Sequence, residues 1–182
     1  MRCLTDNEVS DWLLAHSIPK DPYRGASTPA NYVQFYAPST HRHLDAFVRN
    51  YSLVIIPDSE SMVHMTDWSL YQPSEMIAIM GIRSSCDENR WLIHAPGHLL
   101  APEEAETGIA LFSLSASFAW SSYLYCPKNR STLYNWEGDI FDFWTDCDAT
   151  MEEMMFLLAQ SDLAETTRGE LGADGKASPA IT

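Results

Sequence analysis

No lysine, arginine or histidine occurs between Arg130 and Arg168, a stretch of 37 residues that holds nine carboxylates. A field of that sign repels phosphate backbones and anionic headgroups, so neither nucleic acid nor a membrane surface is an expected partner. Long apolar runs are missing too. None approaches the roughly 20 residues that span a bilayer, and the opening MRCLTDNEVSDWLL is broken by Asp6, Glu8 and Asp11, unlike a signal peptide or anchor. A cytoplasmic location is the expectation. The four cysteines, Cys3, Cys86, Cys126 and Cys147, are scattered without a C-x-x-C pair, which argues against a zinc site and a disulfide framework and for packed thiols. The eight glycines form no G-x-G-x-x-G and no phosphate-cradling loop, and no G-x-S-x-G marks a nucleophile. No cofactor is expected.

What the chain does have is apolar material, 46% hydrophobic and 12% aromatic in 182 residues, enough for one core without staples. A single domain over 1–165 with a polar, disordered tail over 166–182 is the expected organisation. The formal charge of −14 is unevenly spread: residues 1–90 carry 11 acids and 7 bases, net −4, and residues 91–182 carry 14 acids and 4 bases, net −10.

Thr5 and Glu8 have capping-box spacing and predict a helix to about His16. Aromatic and β-branched residues over 31–37 predict a strand, and Leu44, Phe47 and Val48 a helix from Thr40 to near Tyr51. The apolar runs 53–56 and 91–94 read as strands, as does 61–66. Pro73 opens a helix to about Ile82 with a packing stripe of Met76, Ile77, Met80 and Gly81, and Pro102 opens another. Strands over 118–126, 131–136 and 140–144, separated by turn residues, read as an antiparallel meander, followed by a helix capped by Asp148 or Thr150. The predicted fold class is α+β: an antiparallel or mixed sheet ending in a C-terminal β-meander, packed by about four or five helices.

Alternation in 140–144 sends Phe141 and Phe143 to the core and puts Asp142 and Trp144 on an outward face. Trp136, Glu137, Asp139, Asp142, Trp144 and Asp146 are therefore the expected binding surface. Its aromatics would anchor and its acids complement arginine or lysine. The expected role is a non-catalytic protein-binding module that occludes a basic protein partner, such as a toxin or effector, as an immunity protein does; the analogy is one of charge. The competing reading is a small metal-dependent hydrolase on His94, His98 and Glu103 or Glu104; a third is a structural or assembly subunit. Ser61, His64 and Asp67 lie near one another in sequence, but a catalytic triad is set by tertiary geometry.

Overall fold

A computed structural model describes residues 1–23, 28–56, 59–163 and 166. Its elements, in chain order, are β1 (Arg2–Leu4), α1 (Asp6–Ala15), β2 (Asn31–Tyr36), α2 (His41–Ile55), β3 (Ser61–Asp67), α3 (Pro73–Ser84), β4 (Gly97–Leu100), α4 (Ala105–Ser117), β5 (Ser121–Cys126), β6 (Ser131–Trp136), β7 (Ile140–Thr145) and α5 (Asp148–Gln160). The strands form one antiparallel sheet in the order β1-β4-β3-β5-β6-β7-β2. The α+β class and the closing meander β5-β6-β7 are as the sequence predicts. No helix among the described residues is long and apolar enough to cross a membrane.

The pleat separates two faces. On the first, Val63, Met65, Leu124, Leu133, Phe141, Phe143, Val33 and Phe35 join buried side chains of α2, α3, α4 and α5 in the main core. On the second, Leu4, Met62 and Tyr125 pack with Val9 and Leu13 of α1 and Ile18 just beyond it. The capping box forms at α1: the Thr5 amide donates to the Glu8 carboxylate at 2.8 Å, and the Glu8 amide to Thr5 Oγ1 at 3.3 Å.

Three local expectations are corrected. Residues 53–55 end α2 rather than forming a strand, because Leu44, Phe47, Val48, Tyr51 and Ile55 recur on one buried helical face. Leu53 is left 69% exposed, as helical rotation requires. Residues 92–94 form a 3-10 turn, and the strand lies beyond it at 97–100, where Gly97 leaves no room for a side chain: a Cβ would stand 2.4 Å from Val9 Cγ2. In α3 the inner stripe is rotated from the predicted one: Ile79 and Arg83 are buried, whereas Ile77 is 71% exposed and Gly81 faces open space. Of the tail expected over 166–182 only Thr166 is described, its amide donating to the Gln34 carbonyl at 3.0 Å; the rest lies outside the described residues.

Candidate protein-binding face

Strand register sets the second face row by row. Tyr125, Thr132, Trp144 and Tyr32 stand opposite one another across β5, β6, β7 and β2. The next row runs His64, Tyr123, Tyr134, Asp142 and Gln34, and the last brings together Trp136, Ile140 and Tyr36. Residues two apart share a face, so these rows collect all five tyrosines of the strands. Tyr123 stacks on Tyr134 at 4.3 Å between ring centroids and on Tyr125 at 5.3 Å.

The six residues expected to form one surface divide three ways. Asp142 and Trp144 do point to the second face, while Phe141 and Phe143 enter the core, but neither is outward in the sense of exposed: Asp142 is 0% and Trp144 2% accessible. Tyr23, in the segment after α1, packs over them. Tyr23 meets Trp144 edge-on at 4.9 Å and donates its hydroxyl to Asp142 Oδ2 at 2.5 Å, and Tyr32 stacks on Trp144 at 5.3 Å. Asp146 is exposed but lies at the far end of β7, paired with Arg130 at 2.6 Å and accepting from the Ala30 amide. Six residues of strand, about 20 Å, separate it from Glu137 and Asp139. Those two acids are exposed on the β6–β7 turn beside half-buried Trp136.

Asp142 accepts three hydrogen bonds, from Tyr23, from Tyr32 Oη at 2.6 Å and from Gln34 Nε2 at 2.9 Å. Burial still outweighs these donors and raises its pKa above the usual aspartate range. A folded pKa above the unfolded one means that this group's contribution is fully present below the ordinary aspartate pKa and is lost as pH rises through the folded value. An Asp142→Asn chain, neutral throughout, should lack that part of the stability curve. Urea midpoints measured from pH 4 to 7 check this; identical pH dependence in the two chains would refute it. Asp142→Ala should cost about 1–3 kcal/mol and speed trypsin cleavage after Lys20, since Tyr23 loses its anchor.

The histidines do not share a site. His94 is exposed at the end of the 3-10 turn. His98 is buried with both ring nitrogens engaged: Nε2 accepts from Arg83 Nη1 at 2.8 Å, and Nδ1 donates to the Val63 carbonyl at 3.2 Å. Among the described residues no three His, Cys, Asp or Glu side chains converge as metal ligands. Ser61 and His64 fall on opposite faces of β3, and Asp67 lies beyond a bulge, so they form no triad. A depression between α2 and α4 lined by Ser52, Ser59 and Ser61 has room for little more than one water.

Sequence reasoning missed three participants. Tyr36 and Tyr134 complete the half-open aromatic rows, and the alternation of β2 and β6 was the signal that could have found them. Asp67, level with Ser121 at the end of β3, adds a third exposed acid. No family model matches the chain, and neither a curated protein nor a solved structure matches it.

Proposed function

We propose that this chain is a non-catalytic binding protein that docks a basic protein surface on the open end of its second sheet face, around the β6–β7 turn. The observation that carries this is the uneven cover of that face. Among the described residues α1 is the only helix packed there, and it reaches only as far as β5. Beyond it Tyr36 is 45% exposed and Tyr134 and Trp136 are half-buried, with Asp67, Glu137 and Asp139 at the margin. Amphipathic aromatics at a solvent boundary supply contact area at small entropic cost, and the acids select partner sign and orientation. Trp136, Glu137 and Asp139 would make the contact. The protein would act by occlusion, covering the basic surface its partner uses.

Charge reversal separates a specific face from general acidity. A chain carrying Glu137→Lys and Asp139→Lys should lose at least about tenfold in capture of a basic partner from a lysate of the source organism, which corresponds to roughly 1.4 kcal/mol. Reversing Glu152 and Glu153, exposed on α5 against the opposite sheet face, should leave capture unchanged. Equal losses in both variants, or no basic partner at low salt, would refute the proposal.

A further inference from the structure

We infer that the partner presents an arginine to this face, its guanidinium lying against Tyr134 and Trp136 of β6 and pairing with Glu137. The inference rests on the binding proposed above and names the chemistry recognised there.

Tyr125, at the inner end of the stack, is buried beneath α1, Tyr123 is stacked against both neighbours, and half-buried Tyr134 ends the row with Tyr23 edge-on to it at 6.3 Å. Aromatic faces carry negative electrostatic potential, and a cation set against them is attracted. Carboxylates surround the stack. Burial raises the Tyr134 phenol, opposed by a hydrogen bond with Ser121 and reinforced by the fields of Asp142, Glu137 and Asp67; burial and neighbouring Tyr134 raise Tyr123, with Asp21 and Asp142 acting in the same sense. The four strands β5, β6, β7 and β2 contain no lysine, arginine or histidine. Lys128 and Arg130 lie in the β5–β6 connection, at the opposite end of β6 from Glu137, where Arg130 pairs with Asp146; Lys20 donates to Ser10 Oγ at 3.0 Å.

Arginine fits better than lysine. A planar guanidinium stacks on a ring and still directs two N–H groups at one carboxylate, whereas an ammonium is a strongly hydrated point charge. Asp142 is not the pairing group: it is enclosed and its oxygens already accept three donors. Glu137 is exposed.

The test uses the intact chain and N-acetylarginine amide, with N-acetylcitrulline amide as its neutral analogue of nearly the same shape. NMR should show saturable millimolar shifts of the Trp136 indole and Tyr134 ring with the arginine compound, and affinity about fivefold weaker with citrulline. N-acetyllysine amide, which bears a free ε-ammonium, should fall between them. Glu137→Gln, a surface change, should weaken arginine binding severalfold, as should Tyr134→Leu if that chain folds. Equal binding of arginine and citrulline, or shifts spread over the whole acidic surface and insensitive to Glu137→Gln, would overturn the inference. If capture of a basic partner still depended on Glu137 and Asp139, the binding role would stand and the arginine would fall.

Discussion

Lowering the pH from 6.5 to 4.5 should remove about 4–5 kcal/mol of stabilisation from one source, with close to two protons taken up there on unfolding. The source is a pair of buried imidazoles. Burial, reinforced by the Arg83 guanidinium and opposed by the Val63 carbonyl, pushes His98 down to about 3; burial pushes His64 down to about 4, against the pull of Asp6, whose Oδ1 lies 3.3 Å from its Nε2. An unfolded histidine titrates near 6.5. Each folded pKa is depressed, so the stability these groups contribute is present above pH 6.5 and lost as pH falls toward the folded values. Two such groups give a slope of about 2.7 kcal/mol per pH unit. Asp142 runs the other way and offsets part of the loss, whereas Glu8 and Glu88, whose pKa values are lowered, act below this window. Against a total stability of roughly 5–15 kcal/mol, acid unfolding near pH 4–5 is the expected result. Urea midpoints at pH 7, 6 and 5 measure the slope. His98→Gln should halve it even in a less stable chain, and His64→Gln gives the same readout should His98→Gln fail to fold. A wild-type slope near zero between pH 6.5 and 5 would refute the assignment.

Neither histidine could be identified as a buried neutral group from its neighbours in sequence. His98 lies between Gly97 and Leu99 in a four-residue strand, and what removes it from solvent comes from elsewhere: Cys3 opposite it on β1, Val63 on β3 and the guanidinium of Arg83. Arg83 itself is wholly buried, with donors to the Ala95 and Arg90 carbonyls as well as to His98. It lies one helical turn from buried Ile79, on a face that the predicted stripe of Met76, Ile77, Met80 and Gly81 did not include. Composition misleads there, because charged residues are rarely enclosed.

The same division holds across the fold. Alternation in β7 assigned Phe141 and Phe143 to the core, since strand geometry is local. Exposure is not local. Whether Asp142 met water depended on Tyr23, 119 positions away in the chain, and the residues around Tyr23 carry no periodicity that announces a cover. The 53–56 run failed for a related reason: its compact apolar character suggested a buried strand, but the buried stripe of α2 continues through Ile55, and a short apolar run does not tell strand from buried helix. The sheet's strand order joins β2 to β7 and β1 to β4, pairings too distant for adjacent patterns to encode.

The β6–β7 turn that presents Glu137 and Asp139 depends on a single glycine, and replacing it should cost about 2–4 kcal/mol. Glu137 and Gly138 both have positive φ, 51° and 76°. Gly138 is further confined because a Cβ there would stand 2.3 Å from the Ala116 carbonyl oxygen in the last turn of α4. Backbone cannot yield as a side-chain tip can, so the turn must lift from α4. That movement would strain the bond from the Gly138 amide to Asn135 Oδ1 at 2.9 Å, and buried Asn135 also donates to the Trp120 carbonyl at 2.7 Å. Gly138→Ala should therefore lower the urea midpoint and, in the fraction that remains folded, weaken capture of a basic partner by displacing Glu137 and Asp139. Gly81→Ala is the control. Gly81 is exposed within α3, and no atom lies within 4 Å of where its Cβ would stand, so the same change should stabilise by about 0.5–1 kcal/mol. Opposite signs for one chemical substitution at two glycines would show that the left-handed φ and the contact with α4 together set the cost at 138; equal effects would show that neither holds the turn.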